Sequence, residues 1–114
     1  MITKIESTHY HVEDMDRALR FYEGVLGLPL KFRDGDEWAE FKLEGGKLAL
    51  ERNHLGSKPA PGPTLTLRTD DLDGLIGALT AAGFPPRGEP EQRPYGRLIE
   101  AQDPDGNLLM FLGE

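Results

Sequence analysis

Two histidines in the first predicted strand are the residues best suited to acid–base chemistry. His9 and His11 are two positions apart, so an extended backbone points both side chains to the same face. Imidazole groups exchange protons near neutral pH and hydrogen-bond to acidic or phenolic ligands. Such a histidine can equally belong to a satisfied polar core or to a subunit interface. We treat both as candidate ligand-binding residues, and His9 also as a candidate catalytic residue.

Glu51, in the fourth predicted strand, is the candidate partner of His9. If the first and fourth strands are neighbours, its carboxylate would orient His9 or act as a base itself. The alternative is a solvated strand end. An imidazole and a carboxylate are also a reasonable start for a divalent metal site. His9 and Glu51 are therefore the candidate catalytic residues if the protein is an enzyme, and Glu51 is also a candidate ligand-binding residue.

Two further side chains are suited to binding an organic ligand. Trp38 alternates with Phe41 in its predicted strand and can stack on a planar ligand, although a core or dimer-interface aromatic is the alternative. Arg68 can bind a carboxylate or phenolate through two hydrogen bonds, and its alternative is an ordinary ion pair. Both are candidate ligand-binding residues.

Two predicted helices position these strands, and both begin at an aspartate. Asp14 is a predicted N-cap for a helix over 15–26, because its carboxylate can accept hydrogen bonds from the first free N–H groups. Asp71 is likewise the predicted N-cap of a helix over 72–82. A second acid follows each cap two residues later, where negative charge favours the positive end of the helix dipole. Apolar residues recur at helical spacing in both segments.

The second cap comes half a chain length after the first, which indicates an internal repeat. The predicted strands cover 2–12, 28–33, 38–43 and 47–52 in the first half and 64–69, 97–102 and 108–112 in the second, with loop or edge structure over 84–94. We expect an α+β fold of two βαβββ units, 1–52 and 64–114. A Pro- and Gly-rich linker over 53–63 would join them within one domain, 1–114. One face of each sheet would pack on its helix, and the other faces would curl around a shared ligand cleft.

Composition excludes several classes of protein. A net charge of −7 over 114 residues argues against nucleic acid as a partner. No cysteine is present, so disulfides and thiol catalysis are excluded. No apolar run could span a membrane, and no signal peptide is visible. We expect a cytoplasmic protein that binds a small molecule.

The motifs together resemble one family. They are Val12-x-Asp14, Ala18-x-x-Phe21-Tyr22 with Leu26-Gly27, the run Thr69-Asp70-Asp71-Leu72-Asp73, and the turn Asp103-Pro104-Asp105-Gly106-Asn107. This pattern resembles the vicinal oxygen chelate superfamily, which includes glyoxalase I, extradiol dioxygenases and the bleomycin and fosfomycin resistance proteins. The resemblance implies the same curled mixed sheet around a cleft, and it implies a homodimer, because short members pair units from different chains. It also makes Tyr95 and Arg97 candidate ligand-binding residues, since members often contact ligands just before the seventh strand.

The resemblance further implies four metal-ligand positions, and this chain fills them with Ser7, Ala49, Thr64 and Met110. None of these side chains is a normal ligand for zinc, nickel, iron or manganese. The sequence therefore predicts no metal cofactor. The alternative is a divalent metal at a displaced site held by His9 and Glu51. Arg68 makes this alternative less favourable, because its positive charge would repel a cation.

Three functions follow from these observations. The leading prediction is a metal-independent small-molecule binding protein that holds a planar or aromatic ligand between Trp38 and the histidines. The alternative is a lyase, isomerase or dioxygenase-like enzyme that uses His9 and Glu51. The third is an accessory module whose cavity is filled by side chains such as Met110 and Leu112.

Overall fold

The computed structural model describes residues 1, 3, 6–54 and 64–114. The first part of the predicted strand 2–12 and most of the predicted linker 53–63 fall outside the described residues. The chain forms two compact units, Met1–Ala60 and Pro61–Glu114. Neither of the two helices is long and apolar enough to cross a membrane, as judged from the described part of the chain.

The first unit is a four-stranded sheet with one helical segment. Its elements are β1 (Thr8–Val12), α1 (Met15–Leu19), which continues as a π-helical turn over Arg20–Val25, β2 (Leu30–Asp34), β3 (Trp38–Leu43) and β4 (Gly46–Arg52). The strand order is β1-β4-β3-β2. β1 runs parallel to β4, and the other pairs are antiparallel.

The second unit repeats this topology. Its elements are β5 (Leu65–Arg68), α2 (Leu72–Ala81), β6 (Glu91–Arg93), β7 (Gly96–Gln102) and β8 (Leu108–Gly113). The order is β5-β8-β7-β6, with β5 parallel to β8. Each unit is therefore βαβββ, and the predicted α+β class is confirmed. β6 is a short edge strand within the segment for which the sequence predicted loop or edge structure.

The first helix differs from its prediction in geometry. The sequence predicted one regular helix over 15–26, whereas the structure widens into π geometry from Arg20. The Leu26 amide donates to the carbonyl of Phe21, five residues back, at 2.9 Å. Periodicity over so few turns does not distinguish the two forms. The segment ends at Gly27, whose φ of 73° is readily adopted only by glycine.

Both predicted aspartate caps are confirmed. Asp14 Oδ1 accepts a hydrogen bond from the Arg17 amide, and Asp71 Oδ1 accepts one from the Gly74 amide, each at 3.0 Å. The buried aspartate of the second unit, Asp103, is held in the same way. It accepts from the Asp105 and Asn107 amides, which closes the turn before β8.

One face of each sheet forms a core with its helix. In the first unit this face carries Val12, Ala39, Phe41, Leu48 and Leu50, which are buried together with Met15, Ala18, Leu19, Phe21 and Tyr22 of the helical segment. In the second unit the core residues are Leu72, Leu79, Ile99, Ala101, Leu109 and Phe111. Because alternate strand residues point to opposite faces, the remaining side chains of each sheet lie on a face that its own helix does not cover. We call these the open faces.

Two glycines of α2 provide a matched test of the second cap. A Cβ placed on Gly74 would clash with Asp71 Oδ2, whereas one on Gly77 would meet no described atom within 4 Å. Gly77→Ala should raise the free energy of unfolding by about 1 kcal/mol, the usual gain in an exposed helix interior. Gly74→Ala should gain less by about 1 kcal/mol, because the capping carboxylate must turn away. Urea denaturation followed by circular dichroism measures both, and equal gains would contradict this account of the cap.

Candidate ligand-binding face

The open face of the first sheet brings together most of the predicted site residues. In the β1–β4–β3 register, His9 lies opposite Ala49, which lies opposite Glu40. One step along, His11 lies opposite Glu51, which lies opposite Trp38. We call this surface the histidine face, and its members are His9, His11, Phe32, Trp38, Glu40, Lys47, Ala49 and Glu51.

The histidine that pairs with Glu51 is His11. His11 Nε2 lies 3.2 Å from Glu51 Oε1, and both side chains are partly exposed. The sequence suggested His9 for this role, and that pairing is wrong because the parallel register sets His9 beside Ala49. Alternation places both histidines on the same face but does not decide which one meets a residue of another strand. A donor and an acceptor are therefore held side by side at one end of the histidine face.

His9 instead packs against the tryptophan. Its ring centroid lies 4.8 Å from that of Trp38, and the two planes are at 81°, an edge-to-face arrangement. His9 Nε2 also lies 2.8 Å from Oγ of Ser7, the residue just before β1. Two contacts therefore orient the His9 imidazole.

Trp38 also makes a hydrogen bond to a carboxylate. The indole Nε1 donates to Glu40 Oε1 at 2.9 Å, and Lys47 Nζ lies 3.7 Å from Glu40 Oε2. The indole orientation is therefore fixed by His9 and Glu40 together. Further ordering of this ring on contact with a partner would therefore cost little.

Three members of the histidine face, Phe32, Glu40 and Lys47, were not singled out from the sequence. Phe32 lies opposite Glu40 and is 53% exposed, although it is a large apolar residue. The pairing of β2 with β3 shifts between Leu30 and Phe32, so simple alternation from the start of the strand does not settle its face.

Three of the predicted ligand-binding residues belong to the second unit and are not together. Arg68 is exposed on the open face of that sheet, opposite Leu112. Tyr95 is 59% exposed in the turn before β7. Arg97 lies on the helix-packed side, where its guanidinium makes two hydrogen bonds to Asp73 at 3.1 and 3.2 Å. Their roles in binding stay predictions, and only Arg68 is on an open face.

A cavity of about 450 Å³ in the second unit lies away from that open face. It is lined by Asp73, Ile76, Thr80, Pro85, Pro86, Gly88, Glu89, Pro90 and Arg97. These residues come from α2, the following loop and the start of β7. The cavity therefore includes Arg97 and none of the other predicted site residues.

The donor atoms of the histidine face are not gathered as in a protein metal site, as far as the described residues show. Ala49, one of the family's ligand positions, lies between His9 and Glu40 and carries no donor atom. Within the described ranges, no three His, Asp or Glu side chains gather in a group that could hold a metal ion. The His11–Glu51 pair supplies two donors, whereas structural and catalytic zinc sites use three or four from the protein. Whether the protein works without metal stays a prediction.

Comparison with known proteins identifies the family. The model of the Glyoxalase/Bleomycin resistance protein/Dioxygenase superfamily matches residues 4–111. The chain belongs to this superfamily. The resemblance noted from the sequence motifs is thereby confirmed, while the reaction is not specified, because one fold supports many chemistries.

Three similar proteins illustrate the range within the superfamily. The uncharacterized protein YetH of Bacillus subtilis (strain 168) is 23% identical over 97% of this chain and 98% of its own length. The crystal structure of an antibiotic binding protein from Streptomyces sp. CB03234 matches with a TM-score of 0.77 and 28% identity, covering 98% of this chain and 96% of that one. A glyoxalase/dioxygenase from Nostoc punctiforme matches with a TM-score of 0.81 and 22% identity, over 97% and 90% of the two chains.

The second acid of each helix is engaged by an arginine from its own sheet. Arg33 Nη2 lies 2.7 Å from Asp16 Oδ1, and Arg97 binds Asp73. In both cases the hydrogen bond, and then the charge of the arginine, lowers the pKa of the aspartate. A lowered pKa in the folded state contributes stability that is present above the unfolded pKa and is lost as the pH falls through the folded one.

This linkage predicts a specific response to acid. The double variant Asp16→Asn/Asp73→Asn should lose less stability than the parent protein between about pH 4 and pH 2, because two linked carboxylates are gone. The effect should be small, since both aspartates are exposed. Thermal unfolding across that pH range measures it. Asp70→Asn, which removes an exposed carboxylate with no arginine partner among the described residues, is the control, and an equal effect of the control would contradict the linkage.

Proposed function

We propose that this protein is a metal-independent small-molecule binding protein that holds a planar, aromatic organic ligand against the histidine face. The observation that carries the proposal is the orientation of Trp38. Its ring is fixed by the edge-to-face contact with His9 and by the hydrogen bond to Glu40. An aromatic ring fixed in this way, on the sheet face that the unit's own helix does not cover, suits a flat ligand, because the side chain loses little conformational freedom on binding.

The polar groups around the tryptophan would set the orientation of such a ligand. His11 and Glu51 lie beside it in the register and present a donor and an acceptor at one end of the face. Phe32 adds exposed apolar area on the other side of Glu40. A few polar groups next to aromatic surface are the usual composition of a small-molecule site.

The similarity to the Streptomyces protein supports a binding role rather than a particular ligand. That protein is described as antibiotic binding, and it is 28% identical to this chain over nearly the full length of both. We therefore propose sequestration of an aromatic compound, by analogy with that relative. We further propose that the chain acts as a homodimer, as the family resemblance implies for short members, and that it works in the cytoplasm, as expected from its sequence.

The His11–Glu51 pair favours one second candidate. A carboxylate 3.2 Å from an imidazole can fix the orientation of the ring, as a positioned general base requires. The candidate reaction is a proton abstraction of the lyase or isomerase type, or a dioxygenase-like reaction if a divalent metal binds. In this candidate His11 takes the role that the sequence suggested for His9.

Ligand binding can be followed through the single tryptophan. Planar aromatic compounds should quench Trp38 fluorescence and raise the melting temperature of the protein. Trp38→Ala should weaken binding by roughly tenfold or more, the usual loss for a buried aromatic anchor. Trp38→Phe should weaken it less, because the ring remains while the hydrogen bond to Glu40 is lost. Calorimetry measures all three proteins. Equal affinities in all three would contradict the placement of the ligand on the histidine face.

Metal content separates the two candidates. Protein purified without chelator and offered zinc, nickel, manganese and ferrous iron in turn should retain no stoichiometric ion. A stoichiometric ion that is lost in His11→Ala or Glu51→Ala would overturn the leading proposal in favour of the enzyme. His54→Ala is the matched control, because His54 contacts Glu37 and lies outside the histidine face. An ion lost equally in the control would indicate a surface site and would leave the leading proposal standing.

A further inference from the structure

The open face of the second sheet differs in chemistry from the histidine face. In its register, Arg68 lies opposite Leu112, which lies opposite Leu98. One step along, Thr66 lies opposite Met110, which lies opposite Glu100. The three apolar side chains among these six are only half-buried. We call this surface, made of Thr66, Arg68, Leu98, Glu100, Met110 and Leu112, the arginine face.

One arginine of this sheet has no ion-pair partner among the described residues. Glu100 is paired with Arg87 at 3.3 Å, and Glu91 of the edge strand is paired with Arg93 at 2.6 Å. Arg68 is exposed and has no ion pair or hydrogen bond with the described residues. The carboxylates are therefore already neutralised by other arginines, and the uncompensated charge is a guanidinium. This occurs in a chain whose net charge is −7.

We propose that the arginine face binds the carboxylate of a planar aromatic acid, with Arg68 as the anion-binding residue. The inference rests on the proposed function only for the size and flatness of the ligand. It adds the charge, and it assigns the acid to the arginine face, a surface of the second unit that is separate from the histidine face of the first. A guanidinium presents two parallel N–H groups that match the two oxygens of a carboxylate. Leu112 and Met110 provide apolar contact beside that charge, so the ring of the acid would cover them.

The same charges argue for a monoanion. One guanidinium offers one bidentate contact, whereas a phosphate dianion is usually held by several donors or cations. Glu100 also lies on the face beyond Met110, and its carboxylate, although paired with Arg87, would oppose additional negative charge. A carboxylate or a phenolate fits these conditions.

The test compares two probes that differ only in charge. 2-Naphthoate and its neutral amide, 2-naphthamide, have the same ring system and nearly the same size. The parent protein should bind the naphthoate about tenfold more tightly, a preference that should fall as salt is added. Arg68→Gln should abolish the preference while leaving the affinity for the amide unchanged. Arg68→Lys should keep part of it, because the charge remains and the bidentate contact is lost.

Arg20→Gln is the matched control, since it removes one exposed positive charge from the helical segment of the first unit. It should retain the full preference for the naphthoate. Loss of the preference in this control as well would overturn the inference, because the effect would then come from net charge. Analytical ultracentrifugation of Arg68→Gln should show the same oligomeric state as the parent protein. If the variant has a different oligomeric state and also lacks the charge preference, the arginine face is a contact between copies of the chain, and the inference is overturned.

The outcomes separate this inference from the proposed function. Equal binding of the two probes by the parent protein overturns the anion preference and leaves the aromatic-binding function intact. Binding of neither probe, together with a failed screen of planar compounds, overturns both. A preference for the naphthoate that survives in Arg68→Gln places the anion elsewhere and overturns the role of Arg68.

Discussion

The parallel pairing of β1 with β4 is the constraint on which the candidate site depends. Two parallel strands cannot be joined by a tight turn, so the chain between them must cross over, and here α1 covers one face of the sheet. That face takes the apolar side chains of both strands. The histidines and Glu51 are thereby placed on the opposite, open face. The same pairing sets the register that brings His11, and not His9, against Glu51.

The two units use one architecture with different local contacts. Both helices begin at a capping aspartate and carry a second acid held by an arginine. The arginine comes from the edge strand β2 in the first unit and from β7 in the second. The second acid is at the same place in both sequence repeats, whereas its arginine partner comes from whichever strand lies close to the first turn of the helix. A repeat in topology therefore does not require a repeat in contacts.

The open faces of the two units differ in the residues that they carry. One carries an oriented tryptophan with two histidines and two carboxylates, and the other carries half-buried apolar residues with an arginine that has no ion pair among the described residues. Neither set of residues is needed to form the core, since each helix covers the other side of its sheet. Side chains on these faces can change without loss of the fold, which is consistent with the variety of activities named among the similar proteins.

The sequence alone determined the features that depend on neighbours along the chain. Aspartate caps, apolar spacing and glycine at helix ends are local, so the two βαβββ units and the faces of His9, His11 and Trp38 followed from them. Only the tertiary structure decided the partners across strands. The His11–Glu51 contact depends on the register of residues about 40 positions apart, and the position of Arg97 against Asp73 depends on how α2 packs on its sheet. Periodicity carries no information about either, because it reports which face a side chain occupies and not which residue lies beside it.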